Sequence, residues 1–199
     1  MNLKIKSWAE CPIATYRRLV AVAEDNLSEA EKDIAAIAIL CKESEDEVWK
    51  LTVPEVQTLI SQLNWLKSFD FDRNPKMNKL SINGVKCNVD TDLTKFTVAQ
   101  YIDFQSSYGK GITTDNLPVL LGTILIPEGK NYNEGYDLQE WISDIDNYLP
   151  ITMANSIGFF LLQNLERQRR ITQLYLLWMQ KRIVKREKRR MKRLKRKQK

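Results

Sequence analysis

The sequence predicts a mainly α fold, a compact bundle of short helices with one small β-hairpin and a long basic C-terminal helix. Three observations predict it. Helix-start signals at Ser28, Ser44 and Thr52 crowd into residues 28–55. Asn83-Gly84 stands between two short β-like runs, the strongest local hairpin signal. Beyond Gly158 no glycine or proline interrupts the chain, so nothing in the sequence stops the last helix before the basic end.

The elements follow in chain order. Leu3 to Trp8 alternates apolar and polar, which predicts a short strand with Leu3 and Ile5 on one face. Pro12 opens a helix to about Ala23, because proline fits a first helical turn. Ser28-Glu29-Ala30-Glu31 is a capping box. It starts a helix whose Ile34, Ile37, Ala38 and Cys41 are spaced for one apolar face. Ser44-Glu45-Asp46-Glu47 starts a second, short helix ending near Leu51. Thr52-Val53-Pro54-Glu55 starts a third, carrying Val56, Leu59, Ile60, Leu63 and Leu66. Asp70 to Lys76 reads as a linker. Strands are expected at 79–82 and 85–89. From Thr94 the chain is expected to be helical again, with Phe96, Val98, Ala99, Ile102 and Phe104 supplying apolar contacts. Asp115 or Asn116 caps a buried helix from Leu117 to Ile126. A turn-rich loop, 127–135, leads to Asp137, which caps a helix with Leu138, Trp141, Ile142 and Ile145. Pro150 breaks that helix, and the last one starts near Thr152.

The chain has 199 residues, 43% hydrophobic and 28% charged, enough to bury a real core without disulfides or metals. We read 1–165 as a mostly helical globular body with its β-hairpin near 79–89, and 166–199 as a helical extension ending in a basic tail. Cys11, Cys41 and Cys87 are odd in number and widely spaced, so they read as reduced, buried thiols. No signal-peptide pattern is visible at Met1 to Trp8. The most apolar stretches, 117–127 and 151–162, are shorter than the roughly 20 residues of a membrane helix. A soluble protein with no membrane partner is expected.

Catalytic chemistry has little to stand on. There is no histidine, which removes the commonest base near neutral pH and the Ser-His and Cys-His nucleophile pairs. The acid pairs Asp70/Asp72, Asp90/Asp92 and Asp144/Asp146 lack calcium-loop spacing and read as caps, turns and surface. Gly109-Lys110-Gly111 and the Gly129–Gly135 loop lack the order of a phosphate-binding loop. No serine sits in a Gly-x-Ser-x-Gly elbow. The expectation is a protein that is not an enzyme, with no catalytic residue, no metal ligand and no cofactor.

The charge points to binding instead. Residues 181–199 hold 13 Lys or Arg against Glu187, a net of +12, which leaves 18 basic and 24 acidic side chains before them, a net of −6. Such a tail suits nucleic acid, a membrane surface or an acidic protein surface, or is a solvated, fraying helix end. Its contact residues are expected to be Lys185, Arg186, Lys188, Arg189, Arg190, Lys192 and Arg193. With no aromatic residue interleaved, any nucleic-acid binding would be non-specific and salt-dependent. Upstream, Phe159, Phe160, Leu174, Tyr175 and Trp178 are the candidate partner contacts, and Leu174, Tyr175, Leu177 and Trp178 are expected to form an apolar stripe where the body hands over to the tail. It either meets a partner or docks on the body.

The order of segments resembles the tail assembly chaperones of long-tailed bacteriophages, particularly those of gut Bacteroidetes. Four stretches carry the resemblance. They are Ile5-Lys6-Ser7-Trp8; residues 37–41 with 44–51 and the Thr52-Val53-Pro54-Glu55 helix; the Asn83-Gly84 hairpin followed by 93–103; and 125–137 followed by Phe159-Phe160-Leu161. Together they span about residues 3–165, and the basic extension after Gln180 has no counterpart in the pattern. The resemblance implies a non-enzymatic assembly factor that binds the tape measure protein or another tail component. Such a factor keeps it soluble in the host cell cytoplasm and is absent from the mature virion; self-association is a further expectation. The basic tail keeps a different reading open, a nucleic-acid-associated structural or packaging protein.

Overall fold

A computed structural model describes residues 1–72, 80–109, 111–167, 170 and 179. The chain divides into two units, Met1–Phe160 and Leu161–Lys199. Helices dominate the first: α1 (Ile13–Glu24), α2 (Glu29–Cys41), α3 (Glu45–Trp49), α4 (Val53–Ser61), α5 (Val98–Tyr108), α6 (Leu117–Ile124) and α7 (Leu138–Tyr148). Residues 151–160 form its last helix. In the second unit residues 161–167 are helical, with Glu166 and Arg170 3.8 Å apart across one turn.

The start signals work as the residues dictate. The Ser28 hydroxyl accepts from the Glu31 amide at 3.3 Å, and the Glu31 carboxylate accepts from the Ser28 hydroxyl at 2.6 Å and N–H at 2.8 Å, which together hold its carboxyl below the usual range. Ser44 caps α3 through the Glu47 amide at 3.3 Å. The Thr52 N–H and hydroxyl donate to Glu55 at 2.8 and 2.6 Å. Asp137 accepts from the Gln139 and Glu140 amides at 2.8 and 3.0 Å. Each cap satisfies amides that have no partner inside their helix.

The Asn83-Gly84 hairpin forms between β1 (Ser81–Ile82) and β2 (Val85–Val89). Asn83 and Gly84 both adopt positive φ, 48° and 78°, the combination that a two-residue turn needs to follow strand twist. A third strand, β3 (Leu125–Pro127), was not expected. It pairs antiparallel with β2, Cys87 opposite Pro127 and Val89 opposite Leu125. The helix expected to reach Ile126 therefore ends at Ile124.

Four other expectations are corrected. Leu3 to Trp8 is not a strand: the Lys4 N–H donates to the Leu40 carbonyl at 3.0 Å, at the end of α2. Leu3 and Ile5 are nevertheless both buried, as their alternation required. The α4 pattern tightens at Gln62 into a 3-10 helix, Gln62–Lys67, so Leu63 is buried from that segment. From Thr94 the chain forms only a short 3-10 turn, Leu93–Lys95, and α5 starts after a Thr97 cap. The last two turns of α2 are buried on every side rather than along one face, because this helix runs through the core.

The core is centred on α6. Leu117, Leu120, Leu121 and Ile124 are buried, and α6 packs against α5 and α7. At Gly122 an added Cβ would lie 2.7 Å from Ile142 Cγ1, so glycine sets how closely α6 and α7 approach. Trp141 donates its ring N–H to the Leu125 carbonyl at 2.7 Å, which ties α7 to β3. At the Pro150 break, the Ile151 N–H donates to the Cys11 carbonyl at 2.7 Å and the Ile13 N–H to Leu149 at 3.3 Å. Both ends of the first unit are thus joined at Pro12 and Pro150.

Candidate interaction surfaces

Helix α5 departs most from its sequence pattern. Val98, Tyr101 and Ile102 are 78%, 45% and 56% exposed, whereas Val98 and Ile102 were expected to pack inward. Gln100 is buried in their place, along with Phe104. The reason is a hydrogen bond. Gln100 Nε2 donates to the Thr123 carbonyl at 2.7 Å in the interior. Thr123 lies in the last turn of α6, where the donor four residues on would be Pro127, which has no N–H. Gln100 also closes the α5 cap, accepting from Thr97 N–H at 3.4 Å while its own amide donates to the Thr97 hydroxyl at 3.2 Å. Turning Gln100 inward turns the Val98–Tyr101–Ile102 face outward.

That face carries almost no charge. The one ionisable carboxyl of α5 is Asp103, and it accepts from the Tyr132 hydroxyl at 2.8 Å. Burial and this carboxylate push the Tyr132 phenol upward. An uncharged apolar strip on a chain that is 28% charged suits an apolar protein surface. Local patterning that loses to a specific interior bond, and so exposes Val and Ile, is a mark of sites kept for binding.

The residues singled out in the sequence are placed unevenly. Phe159 and Phe160 are half-buried. Phe159 meets Phe71 edge-on at 6.0 Å between ring centres. Phe71 in turn neighbours Phe69, and Trp8 packs on Tyr16, Trp65 and Phe69 within 5.5 Å. This aromatic cluster joins the chain start to the segment after α4, and the Trp8 ring N–H donates to the Ser68 carbonyl at 2.8 Å. Its three parts, residues 8–16, residues 65–71 and Phe159, are too far apart in sequence for a local pattern to have brought them together. Leu174, Tyr175 and Trp178 lie outside the described residues, as do Lys185, Arg186, Lys188, Arg189, Arg190, Lys192 and Arg193.

An open cleft of about 580 Å³ runs between α1, the end of α2 and the end of α7. Ala14, Thr15, Arg18, Ala38, Ile39 and Tyr148 line it. Lys42, Glu43 and Asn147 also line it, so its wall mixes small apolar residues with charged and polar ones. Among the described residues no group of three or more Cys, Asp or Glu is placed to hold a metal ion. None of the described helices is long and apolar enough to cross a membrane. Burial raises Cys11 to about 12 and Cys87 to about 11, which keeps both as neutral thiols. Compared with family models, with curated proteins and with solved structures, the chain finds no match.

Proposed function

We propose that this chain is a non-enzymatic binding protein of the phage tail assembly chaperone type, which covers apolar helices of the tape measure protein until the tail polymerises around them. The observation that carries the proposal is the outward apolar face of α5. Such a face costs solubility when empty and is recovered as binding free energy when a partner helix removes it from water. A tape measure chain is long, helical and aggregation-prone before assembly, so burying its apolar face lowers the population that aggregates. On this reading the protein acts in the host cell cytoplasm and leaves before the virion is complete.

The test is co-expression with the product of the long helical reading frame nearest its own gene, followed by size-exclusion chromatography. The proposal expects a long chain that is insoluble alone to become soluble and co-elute with this protein. Separate elution, or a long chain soluble unaided, would contradict it.

The net charge of +12 over residues 181–199 favours a second reading, a nucleic-acid-associated structural or packaging protein. That reading expects binding to DNA or RNA that falls steeply with salt and disappears on removal of residues 181–199. The chaperone reading expects the shortened chain to keep its partner.

A further inference from the structure

A second exposed apolar spot lies on a different part of the first unit, where α3 turns into α4. Trp49 and Val53 are 59% and 70% exposed there. An exposed tryptophan is unusual, and in interfaces tryptophan is among the strongest anchors. Glu45 and Asp46 are also exposed and precede Trp49 by four and three residues on α3 (Glu45–Trp49). Helical geometry therefore sets both carboxylates beside the indole. Around the spot, residues 24–55 hold ten acidic and three basic side chains, a net of −7. The negative charge of the chain before residue 181 thus falls within this stretch. Glu47 is occupied by Lys50 at 2.5 Å and Glu55 by Thr52. Glu45 and Asp46, four and three residues before the ring, are the carboxylates on its side of the helix, and Asp46 also acts on Lys50 through its charge.

We infer that the Trp49–Val53 corner docks a cationic, arginine-bearing segment of a partner protein. An indole face attracts a guanidinium, which stacks on it and keeps its N–H groups free for a carboxylate at the ring edge. Glu45 and Asp46 supply that carboxylate, and the wider acidic surface draws the cationic segment in. Val53 offers apolar contact to the aliphatic stem of the bound side chain. The surface is distinct from α5 and does not depend on what α5 binds.

The experiment uses the intact chain and two fluorescein-labelled probes, nona-arginine and nona-lysine, with binding read by anisotropy at low and at 0.15 M-scale salt. The inference expects saturable binding, tighter for the arginine probe. Trp49→Ala is expected to weaken arginine binding by about two- to fivefold, and Trp49→Phe by less. Glu45→Gln with Asp46→Gln weakens it further, while Glu24→Gln with Glu29→Gln, which removes as much charge elsewhere on the same acidic stretch, leaves most of it. Circular dichroism establishes that each variant is folded, as expected for exposed positions. Absence of binding at low salt overturns the inference. So do equal losses from the two pairs of carboxylate variants with none from Trp49→Ala, which would reduce the surface to a diffuse negative charge.

Discussion

Replacing Gln100 with Met tests why α5 faces the way it does. Met has the length and volume of Gln, so packing is kept while the amide is lost. The buried Nε2 donor to the Thr123 carbonyl, at 2.7 Å, disappears, and Pro127 cannot replace it. A buried carbonyl left without a donor costs about 1–3 kcal/mol. The return half of the α5 cap, Thr97 N–H to Gln100 Oε1 at 3.4 Å, is long and only part-buried, and adds about a few tenths of a kcal/mol. A buried Met side chain offsets about 0.5–1 kcal/mol of this. The net expectation is a loss centred on about 1.5 kcal/mol. For a chain of this size each kcal/mol lowers Tm by about 2–4 °C, so a drop of about 3–6 °C is expected. Urea unfolding followed at 222 nm should show a lower midpoint with an unchanged slope. Gln100→Glu, which sets an oxygen against the carbonyl, should lose more. A Gln100→Met protein as stable as the parent would refute the reasoning: the orientation of α5 would then have another cause.

Three further outcomes follow from the same interior. Burial raises the Asp146 carboxyl more than the facing Arg17 guanidinium lowers it, and its Oδ1 has no hydrogen-bond partner. A carboxyl with a raised folded pKa stabilises the fold below its unfolded pKa, near 3.9. That stability is lost as pH rises through the folded value. Asp146→Asn should therefore flatten the fall in stability above pH 4 in thermal melts, whereas Arg17→Met should steepen it, since it leaves a buried carboxylate uncompensated. Gly122→Ala should cost up to about 2 kcal/mol in urea unfolding. The Cβ would meet Ile142 Cγ1 at 2.7 Å, and overpacking of about 1–3 kcal/mol outweighs a helix-propensity gain of about 1 kcal/mol. Cys11 and Cys87 should react with a thiol reagent at neutral pH only as fast as the fold opens, because burial holds both in the neutral form.

The helix caps and the hairpin turn are legible in the sequence, whereas elements that answer to distant partners are not. Ser28, Ser44, Thr52 and Asp137 cap helices because a hydroxyl or carboxylate reaches amides two or three residues on, a matter of neighbours alone. Asn83-Gly84 makes its turn for the same reason. The residues that went astray answer to distant partners. Leu125 to Pro127 continues an apolar helical pattern, yet it pairs with β2 almost forty residues earlier in the chain. Leu3 to Trp8 alternates like a strand, but Lys4 finds its acceptor at the end of α2. Val98 and Ile102 look like core residues, and no local rule says that Gln100 must reach Thr123. The candidate surface was hidden by that single interior bond. The aromatic cluster of Trp8, Tyr16, Trp65, Phe69, Phe71 and Phe159 was equally invisible, since only the fold brings its members together.

The most direct test of the central claim, that the outward face of α5 carries the partner, is to make that face polar without touching the core. Val98→Ser with Ile102→Ser changes two side chains that are 78% and 56% exposed, so stability should stay within about 0.5 kcal/mol. Losing their contact should remove about 2–4 kcal/mol of binding, about 30-fold or more in affinity. Co-expressed with the long helical neighbour and run on a sizing column, the double variant is expected to fold, elute alone and leave the long chain in the insoluble fraction. Undiminished co-elution would contradict the account and place the partner's contact elsewhere on the chain.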